Sequence, residues 1–186
     1  MSTIGFDTSN YTTSTAWTDG KTDINVRQIL YVKDDERGIR QSDGVFQHMK
    51  LMPVMYEKLS EQIDFKDVKA VGVSTRPRCV EGSYMPVFLA GEGYAKVVAN
   101  TLGVPLYEFS HQDGHIMAGI YSSGSFELLE NDFISVHLSG GTTEILKSRY
   151  NGFNFDNEIV GGSKDISAGQ FIDRVGVKMG LHFPAG

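Results

Sequence analysis

Two segments of the sequence share a pattern that restricts the possible folds. The first is GFDTSNYTTSTAW at residues 5–17 and the second is VHLSGGTTEILK at residues 136–147. In each, an apolar strand breaks at small or hydroxyl residues and continues as a second strand, which is typical of a β-hairpin. Two such hairpins, each opening a similar α/β half, predict a duplicated fold with a cleft between the halves.

The remaining segments alternate between strand and helix patterns, which indicates an α/β protein. Strands are predicted at residues 24–32, 68–75, 104–110 and 153–160, and helices at residues 44–63, 87–103, 111–121 and 163–181. Helical spacing predicts that the first helix packs through Val45, Met49, Met52, Met55 and Leu59, with a kink at Pro53.

Composition excludes several classes of protein. The single cysteine, Cys79, rules out an internal disulfide framework and a cysteine zinc site, so a metal would need His, Asp or Glu ligands. A net charge of −6 gives no bulk attraction for a phosphate backbone, so a nucleic acid would need a local patch or a partner protein. No membrane span or leader segment is visible, and a cytoplasmic location is expected.

The segment EFSHQDGH, residues 108–115, holds the first candidate site. His111 and His115 are four residues apart, so on a helix both imidazoles can reach one metal ion. Ser110 is expected to cap this helix. Two histidines make an incomplete site, and Gln112 stands where a zinc protease of the HExxH type has its catalytic Glu. A chance spacing on an ordinary helix remains the alternative.

The turn LSGGTT is the second candidate. Its glycines would let the backbone approach a ligand, and its amides could hold phosphate oxygens together with the hydroxyls of Ser139, Thr142 and Thr143. A plain hairpin turn is the alternative interpretation.

Acidic residues form the third candidate group. Asp7, at the end of the first strand, could hold magnesium near a phosphate chain or could cap its own turn. Asp165, Gln170 and Asp173 lie on the last helix, where a carboxylate could accept hydrogen bonds from ribose hydroxyls or could lie on a solvated face.

Taken in this order, the motifs resemble the TsaD group, also known as glycoproteases or O-sialoglycoprotein endopeptidases. GFDTS is similar to the family's opening strand, with Asp7 in the place of its usual Glu. GVPLYEFSHQDGH resembles its metal segment, VHLSGGTTEIL its phosphate hairpin, and SKDISAGQFIDRVGVKMGLHFPAG its nucleotide-sugar helix and turn. The resemblance implies the actin/hexokinase-like ATPase fold, which is ribonuclease H-like.

The resemblance also implies roles for individual residues. His111 and His115 would ligate iron or zinc, and Asp7 would be a catalytic residue. An ATP- or AMP-type nucleotide, with or without magnesium, would be contacted by Ser9, His137, Leu138, Ser139, Gly140, Gly141, Asp173 and Gly186.

Members of this family transfer a threonylcarbamoyl group from threonylcarbamoyl-AMP to N6 of an adenosine beside the tRNA anticodon. The resemblance therefore implies this transfer for the full-length parent, with tRNA reached through partner proteins and with a TsaB-like partner or a homodimer. The alternatives are a non-catalytic TsaB-like nucleotide-binding partner or scaffold and, less favoured, a glycoprotein metallopeptidase.

Besides Asp7 in the place of Glu, four further departures from the family pattern set this chain apart. RPRC at residues 76–79 replaces the family's GPGL-type loop, Thr142 replaces a His, and Ile166 and Gln170 replace an Asp and a Glu. They suggest a divergent paralogue with another substrate, or nucleotide binding without transfer.

Length adds a further expectation. Residues 1–128 are predicted to form a complete first domain and residues 129–186 the beginning of a second. The family's third metal ligand, an Asp, and a nucleotide-binding Asn would lie beyond residue 186, so the chain alone is expected to be inactive.

Overall fold

The computed structural model describes residues 1–33, 38–182 and 185. They form two compact units, one of residues 1–33 and 38–114 (unit 1), the other of residues 115–182 and 185 (unit 2). Each unit is built around its own β-sheet.

Unit 1 contains a five-stranded mixed sheet in the order β3-β2-β1-β4-β5. Its strands are β1 Ser2–Asp7, β2 Thr12–Thr18, β3 Asp23–Ile29, β4 Val68–Arg76 and β5 Leu106–Ser110. β1, β2 and β3 form an antiparallel meander, whereas β4 and β5 run parallel to β1. The carboxyl ends of three parallel strands therefore lie at one edge of the sheet, where ligands commonly bind in open α/β sheets.

Helices α1 Gln41–Ser60 and α2 Phe88–Leu102 pack on this sheet. α1 continues through Pro53 and buries Gly44, His48, Met52, Met55 and Leu59. The predicted packing face is therefore correct from Met52 onwards but wrong at Met49, which is 47% exposed. α2 ends at Gly103, whose φ of 66° is the left-handed conformation that glycine adopts without strain.

Helix α3, His111–Ser123, begins directly after β5 in unit 1 and continues into unit 2. The predicted domain boundary follows residue 128, whereas the compact units divide after Gly114, within this helix. The difference arises because α3 connects the two sheets, and most of its length groups with the second.

Unit 2 contains an antiparallel sheet of β6 Phe133–Leu138, β7 Thr143–Tyr150 and β8 Phe155–Gly162. Short 3₁₀ helices stand at Phe65–Asp67 and Phe126–Glu130. Helix α4, Ala168–Lys178, is shorter than predicted because Ser167 caps it and the residues before that cap are not helical. No helix in the described part of the chain is long and apolar enough to cross a membrane.

Candidate functional site

Asp7 and His111 meet at the carboxyl ends of β1 and β5. The Oδ2 atom of Asp7 lies 2.9 Å from Nδ1 of His111, and the two side chains are 25% and 29% exposed. Oδ1 of Asp7 accepts a hydrogen bond from the amide of Ser9 at 2.8 Å. The carboxylate thus caps its own turn, one of the two predicted roles, and also contacts a predicted metal ligand.

The electrostatics of this pair fix which atom carries the proton. Burial acts to raise the pKa of Asp7, but the hydrogen bond and positive charge of His111, with smaller contributions from Ser74 and Ser9, lower it to about 2. Asp7 is therefore ionised at neutral pH and can only accept hydrogen bonds, so Nδ1 of His111 must be the donor. Neutral His111 is then the tautomer with its proton on Nδ1 and its lone pair on Nε2. This is the tautomer that can bind a metal through Nε2.

Thr8, next to Asp7, holds the end of β1 against α2. Its side chain is fully buried, and its hydroxyl donates to the carbonyl of Val87 at 2.8 Å and accepts from the amide of Gly91 at 3.0 Å. A Cβ on Gly91 would lie 2.8 Å from this hydroxyl oxygen. A glycine at position 91 is therefore needed for the close approach that positions Asp7.

The start of α3 is fixed from two directions. Ser110 and Asp113 form a reciprocal cap in which the Ser110 amide donates to Asp113 Oδ2 at 3.0 Å and the Asp113 amide donates to Ser110 Oγ at 3.1 Å. This confirms the predicted cap. The Gln112 amide donates to the carbonyl of Pro77 at 3.0 Å, so the divergent RPRC loop is tied to the helix that carries His111.

His115, four residues along α3, lies in unit 2 near His137 on β6. The centres of the two imidazole rings are 5.6 Å apart. Within residues 1–33, 38–182 and 185, no three His, Cys, Asp or Glu side chains are grouped so that they could hold a metal. The donor atoms present still suit a divalent metal, because they are imidazoles and one of them is oriented by a carboxylate.

The glycine turn between β6 and β7 is closed by its own hydrogen bonds. Ser139 Oγ accepts from the amides of Gly141 and Thr142 at 3.3 and 3.0 Å, so these amides are used within the turn. Neither Gly140 nor Gly141 has a positive φ, and a Cβ on either would meet no atom within 4 Å. The space beside both glycines is therefore open, and neither position needs glycine for a left-handed backbone.

The first turn of α4 packs against this hairpin turn. The hydroxyl of Ser167 donates to the carbonyl of Gly140 at 2.7 Å and accepts from the amide of Gln170 at 3.2 Å. The amide of Ala168 donates to Oγ1 of Thr143 at 2.7 Å. A Cβ on Gly169 would lie 2.5 Å from the Ser139 carbonyl oxygen, so the close contact requires glycine at residue 169.

A cavity of about 390 Å³ lies beside this contact, within unit 2. It is lined by residues 141–144, by Ser163 and Asp165, and by Ser167 and Gln170 at the start of α4. The lining carries the carboxylates of Glu144 and Asp165 and no basic side chain. Two of the positions that depart from the family pattern, Thr142 and Gln170, line it as well.

The other predicted contacts are distributed over both units. Ser9 lies in the turn after β1 in unit 1, and Leu138 is at the end of β6 with its side chain 60% exposed. Asp173 Oδ1 accepts from the amide of Ala185 at 2.8 Å, which ties Ala185 to that helix. Gly186 lies outside the described residues.

Sequence reasoning missed three residues that position the site, namely Thr8, Ser167 and Gly169. Ser167 could have been found, because a serine immediately before an apolar helical pattern signals an N-cap. The contacts of Thr8 and Gly169 join distant segments, and no local pattern indicates them.

Comparison with known proteins agrees with these observations. The profile of the TsaD family, tRNA N6-adenosine threonylcarbamoyltransferase, matches residues 32–186. Relatives with that name include one from Christiangramia forsetii, 31% identical over 138 residues or 73% of this chain, and one from Streptococcus pneumoniae, 37% identical over 131 residues or 70% of this chain. The matches span 38% and 35% of the lengths of these two relatives.

Solved structures that resemble the chain show its fold. YeaZ from Pseudomonas aeruginosa aligns with a TM-score of 0.51 at 11% identity, covering 90% of this chain and 68% of that one. EutJ from Carboxydothermus hydrogenoformans aligns with a TM-score of 0.51 at 15% identity, covering 97% of this chain and 58% of that one. These likenesses confirm the predicted actin/hexokinase-like α/β fold, and the profile match and sequence identities together establish that the chain belongs to the TsaD family.

Proposed function

We propose that the whole protein transfers a threonylcarbamoyl group from threonylcarbamoyl-AMP to N6 of an adenosine beside the tRNA anticodon. One observation carries the proposal beyond family membership, namely the 2.9 Å contact between Asp7 and His111. A carboxylate that accepts a hydrogen bond from one ring nitrogen orients a histidine for metal binding through the other nitrogen. Both residues of this contact are ones that the resemblance assigns to the site.

His111 and His115 would hold a divalent metal, iron or zinc. Such an ion, when bound, supplies positive charge that polarises the carbonyl oxygen of the threonylcarbamoyl group. Asp7 acts here as a positioning residue, because its carboxylate keeps the Nδ1 proton on His111 and holds the ring in one orientation.

The hairpin turn and the start of α4 would bind the nucleotide, with AMP as the leaving group. Glycines at 140 and 141 leave open space above the backbone, and the N-terminus of α4 adds a partial positive charge close by. Glu144 and Asp165 would repel phosphate oxygens in the same cavity. A magnesium ion accompanying the phosphates would offset that repulsion.

Partner proteins would bring the tRNA, because a chain with a net charge of −6 does not attract it by bulk charge. A TsaB-like protein or a second copy of the chain is the proposed partner, and the cytoplasm the proposed location. The likeness to YeaZ concerns the fold alone and does not favour the non-catalytic alternative.

The decisive experiment is transfer of labelled threonylcarbamoyl from threonylcarbamoyl-AMP to tRNA by the whole protein, with and without a TsaB-like partner. His111→Ala is expected to abolish transfer and to remove stoichiometric metal, whereas His182→Ala, the matched control in an exposed position, leaves both intact. Absence of transfer in every combination would refute the proposal. A metal-free whole protein that still binds AMP would support the scaffold alternative, and cleavage of a glycoprotein would support the peptidase alternative.

Asp7→Asn tests the positioning role separately. The Asn amide group would face Nδ1 of His111 and favour the opposite tautomer, so metal affinity is expected to fall by about 10- to 100-fold. Asp19→Asn is the control, because Asp19 also caps its own turn through the amides of Lys21 and Thr22 but is remote from His111 in sequence and on an exposed loop. Equal metal affinity in the two variants would contradict the role assigned to Asp7.

A further inference from the structure

Arg76 stands at the end of β4, between the strand that carries Asp7 and the strand that leads to His111. The β4–β5 register pairs Arg76 with Ser110, the last residue of β5. Two residues before Arg76, the Ser74 side chain hydrogen-bonds Asp7. Arg76 therefore lies at the carboxyl edge of the unit 1 sheet, where ligands of open α/β sheets commonly bind.

The side chain of Arg76 is held in place by neutral groups. Its Nη1 donates to Oγ1 of Thr75 at 3.1 Å, and its Nη2 donates to Sγ of Cys79 at 3.7 Å. The Thr75 hydroxyl donates in turn to the carbonyl of Phe109 on β5 at 3.5 Å. The guanidinium is thereby fixed at the ends of two strands, and among the described residues these contacts use two of its five N–H donors.

Arg76 is a half-buried cation whose charge is not neutralised locally. It forms no ion pair with a carboxylate within residues 1–33, 38–182 and 185. Partial removal of a charge from water is unfavourable unless the charge is paired, and the planar guanidinium matches the geometry of a carboxylate or a phosphate. The remaining N–H donors therefore suit an oxyanion that the described residues do not supply.

The loop after Arg76 is closed by hydrogen bonds and carries a second arginine. The Arg78 amide donates to Oγ of Ser83 at 2.9 Å, and the Gln112 amide donates to the carbonyl of Pro77 at 3.0 Å. In the family's GPGL-type loop, glycines occupy the places of Arg76 and Arg78. This chain thus has two cationic side chains where that pattern has none, although its net charge is −6.

We propose that Arg76 binds an oxyanion, a carboxylate or a phosphate, of a small molecule at this edge of unit 1. Arg78 adds a second positive charge in the same loop, which favours the same class of ligand. The inference rests on the proposed function for the presence of a substrate at this edge. It adds that the substrate carries an anionic group, recognised through a side-chain contact that glycine could not make.

Cys79 provides a direct readout, because it is the single cysteine of the chain, is exposed and lies beside Arg76. An anion bound at Arg76 is expected to slow the alkylation of Cys79 by iodoacetamide, an uncharged reagent, in the purified unaltered chain. The dependence of this protection on the concentration of sodium acetate or of inorganic phosphate gives the affinity for each, and shows which oxyanion is preferred. Sodium chloride at equal ionic strength is the control for screening and should protect much less.

Variants of Arg76 test whether this side chain holds the anion, with each variant compared with and without the anion. Arg76→Gln removes the charge and is expected to weaken the affinity at least about tenfold, as loss of a hydrogen bond between charged groups does. Arg76→Lys keeps the charge but not the planar guanidinium, so its affinity should be intermediate. Arg27→Gln is the matched control and should change nothing, because Arg27 is exposed on the edge strand β3 of the same sheet.

The outcomes separate this proposal from the proposed function. Alkylation of the unaltered chain that neither acetate nor phosphate slows more than chloride does would overturn the anion site, however the variants behave. Equal affinities in Arg76→Gln and Arg27→Gln would also overturn it, and protection by tRNA alone would assign the arginines to nucleic acid instead. If the whole protein fails to transfer threonylcarbamoyl while acetate or phosphate still protects Cys79, the proposed function fails and the anion site stands.

Discussion

Asp7→Asn should destabilise the protein by an amount that depends on pH. The pKa of Asp7 is lowered from 3.8 to about 2, so the ionised carboxylate stabilises the folded state. At ~1.36 kcal/mol per pKa unit, this corresponds to roughly 2 kcal/mol at pH 5, which lies above both the unfolded and the folded pKa of Asp7. Because the folded pKa is the lower one, this stability is present above about pH 4 and is lost as the pH falls through about 2.

Urea unfolding followed by circular dichroism at pH 5, 4, 3 and 2 measures this effect. The difference between the unaltered chain and Asp7→Asn should be roughly 2 kcal/mol at pH 5, should fall to about half at pH 3, and should nearly vanish at pH 2. Asp19→Asn, which removes a turn-capping carboxylate with no histidine partner, should cost much less at pH 5. Equal costs for the two variants, or a cost for Asp7→Asn that does not change with pH, would refute the reasoning.

Three further predictions concern stability and packing. Gly91→Ala should destabilise α2, because the added Cβ would lie 2.8 Å from the Thr8 hydroxyl oxygen. At Gly93 an added Cβ meets no atom within 4 Å, so Gly93→Ala should stabilise the helix by about 0.5–1 kcal/mol in urea unfolding. Gly169→Ala should separate α4 from the β6–β7 turn. If the free energy of AMP binding falls by more than the free energy of unfolding, this contact shapes the cavity. Burial lowers the pKa of His48, despite the opposing effects of a backbone hydrogen bond and a nearby carboxylate. The free energy of unfolding should therefore fall as the pH drops below about 6.5, the usual pKa of histidine. His48→Gln should remove that pH dependence.

The fold was largely predictable because its signals are local. The opening hairpin, the buried strand β4, the capped end of α2 at Gly103 and the hairpin after β6 each have a period or a turn residue that defines them. Where the prediction was wrong, tertiary packing decided the outcome. In α1 the helical period was recognised, but the buried face begins at Gly44 and His48 rather than at Met49, because the sheet lies against that side of the helix.

The candidate site was predictable only as a set of separate pieces. The spacing of His111 and His115, and the glycines at 140 and 141, are visible in the sequence, and each had a structural alternative that spacing could not exclude. The contacts that favour function link residues far apart in the chain, such as Asp7 with His111 and Ser167 with Gly140. No periodic pattern encodes such pairs, since they depend on which strand ends and helix ends the topology brings together.

The His111 contact shows how one structural observation changes the weight of a sequence motif. Two histidines four apart on a helix occur by chance, and nothing in their spacing separates a metal ligand from a surface residue. A carboxylate that stays ionised beside Nδ1 forces that nitrogen to carry the proton, and in the neutral ring the Nε2 lone pair is then the one available to a metal. A residue selected only to cap the turn after β1 could point its second oxygen to solvent, but Asp7 directs it at His111. This use of both oxygens, one for the turn and one for the histidine, is the physical reason for the proposal that Asp7 and His111 belong to one metal site.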